Sequence, residues 1–338
     1  MIAEKHLEGI KANKRMQVVW LADLNSSRLT LLKEKFNIPK TTLDYKDILH
    51  DKETDAILIC TPPNLHKIMC IDGLKAGKHV FIEKPAAMSL AEIDEMIETQ
   101  KANPGLQVCD CSARHARLQP KYEKVKEIID SGALGEIYYI HHNSIWRNGR
   151  PGIEYHPEAK WFLNKAIAGG GPLFDWGVYD LSFHLGVLGD NLQLEKVNDV
   201  MLRSGLDNFD PGENVYDVEE MFAAHFQLTG GVRYFWERGN HANMDVPNET
   251  RVYGTLGGVK FGFCSWDAPT VQCYDYDTHG KPRHSEITIN MDGHSDDEAL
   301  INHFADILEG KAQPAMPLER ARKHLDIIWK CYQKAEER

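Results

Sequence analysis

The sequence predicts an α/β protein in two parts. Residues 1–112 form a parallel-sheet domain, and residues 113–338 form a second α/β domain on a large, mostly antiparallel open sheet. Three observations carry this. Short apolar runs alternate with helical stretches as far as Cys111, the rhythm of βαβ units. From Ile137 the pattern changes to long alternating strands, joined by the hairpin signals Thr229-Gly230-Gly231 and Leu256-Gly257-Gly258. The length, 338 residues, suits two domains of about 100–200 residues each.

Composition narrows the class. With 42% hydrophobic and 26% charged residues, the chain has an ordinary soluble balance. A net charge of −11 excludes a polyanion such as nucleic acid as the main partner. The ends carry no signal-peptide pattern and no apolar run of about 18 residues, so a soluble, cytoplasmic protein is expected. Seven cysteines without a disulfide framework suit a reducing compartment. Cys109-Asp110-Cys111 has no second cysteine pair at zinc spacing, and His141-His142 point to opposite faces of a strand, so no metal site is expected.

In chain order, Ile2–Ala12 reads as a helix and Gln17–Ala22 as a strand ending at Asp23. Asn25 caps a helix to Phe36. An acid at such a tip takes ribose hydroxyls in a dinucleotide-binding unit, about 20 residues after the last small residue of its glycine fingerprint. Counting back from Asp23 reaches Ala3. The reading is therefore a Rossmann-type domain whose first strand and leading glycines lie upstream of Met1. Asp23 favours NAD over NADP, and Arg28 softens that preference. Ala56–Cys60 reads as a buried parallel strand, followed by a helix closed by Gly77. His79–Ile82 ends at Glu83-Lys84-Pro85, which places Lys84 at the carboxyl edge of the sheet, where ligands bind. Ser89 to Glu92 is a capping box, and Leu106–Cys111 is the last strand of the set.

The second part opens with a helix over 118–131, then the strands named above, with helices expected over 171–188, 295–309 and 317–337. Its second anchor is Gly169-Gly170-Gly171, followed by Asp175 and Tyr179. Four residues apart in a helix, these two side chains share a face, and the glycines permit close backbone approach.

Thr61-Pro62-Pro63-Asn64 with His66, Gly77-Lys78-His79 running into Glu83-Lys84-Pro85, Gly132-Ala133-Leu134-Gly135, and Gly169–Gly171 with Asp175, Gly177 and Tyr179 together resemble the Gfo/Idh/MocA family. The resemblance implies a Rossmann domain holding NAD, with NADP the lesser choice, and a C-terminal sheet that builds homodimers or homotetramers. It also implies a hydride transfer to or from a secondary hydroxyl of a sugar or polyol. Lys84, Asp175 and Tyr179 would be catalytic, with Tyr179 standing where a histidine is common. Thr61, Pro62, Asn64, His66, Glu83 and Lys84 would join Asp23 along the cofactor, and the Lys84–Pro85 peptide would be cis. Tyr179 would take the hydroxyl proton, with the Lys84 ammonium favouring the phenolate and Asp175 holding a second hydroxyl or orienting Lys84. Arg147, Trp161 and Lys165 are the substrate candidates. Arg114, His115 and Arg117 either edge the nicotinamide or pair structurally. Two other readings stay open: an NAD-dependent glycosidase of the same family, and a non-catalytic ligand-binding protein.

Overall fold

The computed structural model describes residues 2–147, 159–206 and 210–337. Two compact units emerge. The first is Met1–Arg114 with His294–Ala321, and the second is His115–Gly293 with Arg322–Arg338. The chain passes from the first unit to the second after Arg114, and residues 294–321 belong to the first unit while their sequence neighbours belong to the second. Packing explains the difference. The Asp296–Leu308 helix buries Leu300, Ile301 and Phe304, and Phe304 stacks on Phe81 with ring centres 3.8 Å apart. Its Ile301 lies so close to the Ile2–Ala12 helix that a Cβ on Gly9 would meet it at 2.9 Å. Arg15 adds a 2.6 Å ion pair to Asp306.

In the first unit β1 (Trp20–Ala22) pairs in parallel with β2 (Lys40–Thr42). A second parallel sheet has the order β3 (Ala56–Ile59), β4 (His79–Ile82), β5 (Val108–Asp110). Against the dinucleotide-fold order 3-2-1-4-5-6, these strands supply positions 3-2 and 4-5-6, and no described strand takes position 1. β1 and β3 therefore each keep an unpaired edge. The consequence is visible in burial. Val80, Phe81 and Ile82 of central β4 are at most 1% exposed, whereas Ala56, Ile57 and Leu58 of β3 are only half-buried, short of the full burial expected of that apolar run.

Local chemistry sets the helix ends. The Asn25 side chain accepts the Arg28 N–H and the Ser89 side chain accepts the Glu92 N–H, each such cap contributing about 1 kcal/mol. Glu92 closes its box one residue early, on the Met88 N–H. Gly77, at φ +76°, ends the His66–Lys75 helix region as a left-handed cap.

The second unit is built on eight strands, β6 (Ile137–Ile145), β7 (Leu194–Arg203), β8 (Met221–Leu228), β9 (Arg233–Gly239), β10 (Val246–Gly254), β11 (Gly258–Phe261), β12 (Thr270–Tyr276) and β13 (Pro282–Thr288). Their order is β13-β12-β11-β10-β6-β9-β8-β7, antiparallel except for the β6–β9 pair. β7 was not legible in the sequence: it is an edge strand whose Glu195, Lys196 and Asp199 face solvent, which hides the alternation. One sheet face is apolar, with Phe222, Ala224, Phe226, Tyr234, Trp236 and Val252 buried. The Gly177–Leu188 helix, buried from Gly177 to Val187, belongs to the same core, and Gly177 lets Trp236 approach to within 2.8 Å of where a Cβ would stand. The opposite face carries an aromatic strip in which Phe235 stacks on His225 at 3.9 Å and meets Tyr139 edge-on at 5.5 Å. Among the described residues no helix is long and apolar enough to cross a membrane.

Candidate active site

In the first unit the carboxyl ends of the parallel strands gather the sequence-predicted residues, as the open-sheet rule requires. Asp23 follows β1, Thr61 and Pro62 follow β3, Glu83 and Lys84 follow β4, and Asp110 ends β5. Asp23 Oδ1 accepts the Asn25 N–H at 2.8 Å, and its Oδ2 is 3.8 Å from the Arg28 guanidinium, so the cation expected near this acid does pair with it. Asn64 is exposed in the Pro63–Leu65 turn. Lys84 is half-buried, and the Lys84–Pro85 peptide is cis.

Two of the expected cofactor contacts, Glu83 and His66, are held by partners within the protein. Glu83 is 5% exposed. Its Oε1 lies 2.7 Å from His6 Nε2 and 3.4 Å from Arg114 Nη1, and its Oε2 accepts the Lys84 N–H at 3.1 Å. Burial opposes its charge, but the Arg114 guanidinium and then His6 outweigh burial and hold the carboxyl well below the usual range. A carboxylate so engaged orients the Lys84 backbone. His66 is fully buried, with Nδ1 2.8 Å from the Pro85 carbonyl oxygen and Nε2 2.8 Å from that of Thr61. It pins the turn after β3 to the turn after β4. Burial lowers its pKa against the pull of the two carbonyls.

His6, Glu83 and Cys111 bring donor atoms within 4.8 Å of one another, the one such group among the described residues. Arg114 already answers the carboxylate charge and itself pairs with Asp297 at 3.2 Å. Burial also pushes the Cys111 thiol well above its usual value, so the group reads as an internal charge cluster.

Asp110, passed over in the sequence as a strand residue, is 1% exposed, and burial pushes its pKa up to about 6, although it accepts the Ser112 N–H at 2.6 Å. A raised folded-state value means that the native state keeps a proton which the unfolded state has lost above about pH 4. Wild-type stability therefore falls, on this group's account, as pH rises from about 4 through 6, and the loss is complete above that. Asp110→Asn removes the effect. Its stability relative to wild type should rise by about 2 kcal/mol between pH 4 and pH 8 in urea titrations, and a pH-independent difference would refute the assignment.

In the second unit the glycine segment is shaped by what it touches. A Cβ on Gly170 would stand 2.0 Å from the Tyr332 hydroxyl, and one on Gly171 would stand 1.8 Å from the Glu219 carbonyl oxygen. Glu219, buried, accepts the Gly171 and Leu173 N–H groups at 3.0 Å each and the Tyr332 hydroxyl at 2.8 Å. Gly171→Ala forces backbone apart here and should cost about 1–3 kcal/mol, as overpacking does. An unchanged denaturation midpoint would contradict that.

The expected helix over 171–188 is broken. Pro172–Asp175 is one short helix and Gly177–Leu188 the next, joined at Trp176. Asp175 and Tyr179 thus lie on separate segments and differ in access. Tyr179 is 1% exposed, its ring 5.0 Å from His115 and 5.3 Å from Trp176. Asp175 is half-buried and lines a small cavity with Phe162, Tyr216, Glu220, Asn240 and His241. Sequence reading missed Glu220, Asn240 and His241. Their signal was weak, because they flank strand ends with no spacing of their own.

Trp161 stacks on Phe162 at 3.9 Å, which puts it beside the Asp175 cavity. Lys165 donates its backbone N–H to Asp217 at 2.6 Å and lays its ammonium over the Tyr332 ring at 5.0 Å. Arg147 is exposed, with its N–H donating to Asp245 at 2.8 Å, and is not among the residues that line the Asp175 cavity. Residues 148–152, which continue its stretch, lie outside the described residues. Arg117 is spent on Asp190 at 2.6 Å.

Beneath Trp176 lies a buried polar network. Asp180, with no exposure, takes Arg238 Nη2 at 2.5 Å and Nε at 2.9 Å, and Trp236 Nε1 at 2.8 Å. The Arg238 guanidinium in turn lies 4.8 Å from the Trp176 ring centre, a cation–π contact. Thr250 Oγ1 joins His142 Nδ1 at 2.9 Å to His184 Nε2 at 2.8 Å, and His184 Nδ1 reaches the Tyr234 hydroxyl at 2.5 Å. Burial depresses the pKa of both histidines. His141, on the other face of β6, pairs with Glu237 at 3.3 Å.

Parallel strands with an acid at one tip and a lysine at another, in a chain that also carries a cavity lined by polar side chains, are the parts of a dinucleotide-dependent oxidoreductase. Comparison with known proteins agrees. Residues 1–108 match the family model described as an oxidoreductase family, NAD-binding Rossmann fold, and residues 122–260 match the GFO/IDH/MocA C-terminal domain. The chain belongs to the Gfo/Idh/MocA family. Among its relatives are a myo-inositol 2-dehydrogenase of Thermotoga maritima, 29% identical over 189 residues (56% of this chain, 52% of that protein), and a D-glucoside 3-dehydrogenase of Escherichia coli, 31% identical over 176 residues (52% and 47%). The chain spans about half the length of the curated relatives it matches first. A levoglucosan dehydrogenase solved with NADH and levoglucosan shares the fold at a TM-score of 0.84, with 19% identity, 100% of this chain and 95% of that one covered.

Proposed function

We propose that this chain oxidises a secondary hydroxyl of a sugar, polyol or glycoside with NAD. The observation that carries the reading is the match of residues 1–108 to the NAD-binding oxidoreductase model and of residues 122–260 to its C-terminal domain, and around Asp175 the side chains of Tyr216, Glu220, Asn240 and His241 supply the acceptors and donors that a hydroxyl requires. The relatives named for inositol and glucoside oxidation support the same class. Asp23, Thr61, Pro62, Asn64 and Lys84 would hold the cofactor, which when bound accepts the hydride. The strand tips that carry them fit a dinucleotide. In the second unit Asp175 binds and orients a hydroxyl and Tyr179 takes the proton, and in the first unit Lys84 serves the cofactor. Trp161 flanks the sugar. The aromatic strip at Tyr139, His225 and Phe235 is the surface through which copies of the chain would associate, which sedimentation at two concentrations reads.

The test is NAD-linked oxidation across a panel of polyols, anhydrosugars and glucosides. Asp23→Ala should shift preference toward NADP, because it removes the repulsion of the 2′-phosphate. If no panel member reduces NAD although NAD binds, the reading fails. Free sugar released from a glycoside without net NADH would favour the glycosidase reading instead.

A further inference from the structure

Lys121 is a lysine with no exposed surface, and the reaction above does not use it. It is the second residue of the Pro120–Asp130 helix, and its ammonium reaches the 262–269 loop that joins β11 to β12. There Nζ donates to four carbonyl oxygens, that of Cys264 at 2.5 Å, that of Gly262 at 3.0 Å, and those of Asp267 and Ala268 at 3.2 Å each. An ammonium carries three N–H donors, so four acceptors share them. Moving such a charge out of water is costly, and a side chain needed only to fill space would be apolar. Carbonyl oxygens closing round a positive charge are the way a backbone holds a bound cation. Here the cation is tethered to the chain.

The loop is drawn tight about that charge. Gln119 Nε2 donates to the Phe263 carbonyl oxygen at 2.8 Å and to that of His115 at 2.6 Å. Asp267 Oδ2 accepts the Cys264 N–H at 2.8 Å. A Cβ on Gly262 would stand 2.7 Å from Asp267 Cβ, so the chain folds back closely there. What the loop presents is Trp266. Its indole is 54% exposed, so burial alone does not fix it. It nevertheless stands edge-on to His115 at 5.1 Å and to Trp176 at 6.1 Å, and His115 lies 5.0 Å from Tyr179. We infer that Lys121 is a positioning residue: its ammonium serves as the built-in cation of the 262–269 loop and sets Trp266 against the rings around Tyr179. The effect on turnover rests on the reading of Tyr179 as proton acceptor. The effect on Trp266 does not.

Fluorine NMR of the protein labelled with fluorotryptophan tests this, the Trp266 resonance being assigned by its absence in Trp266→Phe. Lys121→Met should move or broaden that resonance while unfolding stays cooperative. In Lys121→Ala, ammonium chloride should bring the resonance back towards its wild-type position, because the ion fits the vacated carbonyls. Tetramethylammonium chloride at equal ionic strength should not. In NAD-linked turnover, Lys121→Ala and Trp266→Ala should each raise KM for the oxidised substrate by about tenfold, with kcat within about threefold. The double variant should be no worse than either, since the lysine acts through the tryptophan. An unmoved resonance in a folded Lys121→Met overturns the proposal. So do additive effects in the double variant, or a Lys121→Ala chain that ammonium neither restores nor refolds. Should Tyr179→Phe keep full turnover, the proton-acceptor reading falls, and the fluorine result still decides the role of Lys121.

Discussion

Arg238→Met is expected to lower the stability of the second unit by about 3–5 kcal/mol, the usual result of removing one partner from a buried ion pair. Asp180 has no exposure, and Arg238 supplies two of its close contacts. Burial alone would raise the Asp180 carboxyl, yet the guanidinium and then His142 hold it well below the usual range. A depressed folded-state value contributes stability that is present above the unfolded pKa of about 4 and is lost as pH falls below it. The variant should therefore show its largest deficit near neutrality and a smaller one in acid. Trp176, which rests on the guanidinium, should also gain freedom, readable as a shifted tryptophan emission. A loss below about 1 kcal/mol would mean that the pair is replaceable and that Trp176 is held by its other neighbours.

Tyr179→Phe is expected to reduce NAD-linked turnover by about 10²–10⁴, the range for loss of a general acid–base group, with cofactor binding and unfolding midpoint little changed. The substitution discriminates well because phenylalanine keeps the ring that packs on His115 and Trp176. A purely structural tyrosine would be silent in kcat. Near-complete burial of this residue makes the question sharp, since the accessible side chain is Asp175. If Tyr179→Phe retains turnover while Asp175→Asn abolishes it, the proton passes to Asp175 and the tyrosine is packing.

How much of this could be read from the sequence depended on which residues carry local signals. The Asn25 and Ser89 caps, Gly77 and the run into Lys84-Pro85 each announce themselves within a few positions, and the structure places them as expected. β7 did not, because an edge strand buries too little to show a period. The break at Trp176 was hidden for another reason: its one local mark is Gly177, a weak helix former that helices also tolerate, and the closeness of Trp236 to that glycine is a contact remote in sequence. The partners of Glu83 and His66 were hidden for a third. Both stand at the right strand tips, but their side chains turn inward to His6, Arg114 and two backbone carbonyls, partners remote in sequence. Glu220, Asn240 and His241 reach the Asp175 cavity only because the sheet order brings β8 beside β9.

The reading of this chain as an NAD-dependent sugar or polyol dehydrogenase meets its most direct test in one titration. NAD is added to the protein with a glucoside, an inositol or an anhydrosugar present, and NADH absorbance is followed. The account predicts NADH formation with at least one of these substrates, lost in Tyr179→Phe and in Lys84→Met. NAD that binds and is never reduced by any of them would contradict it.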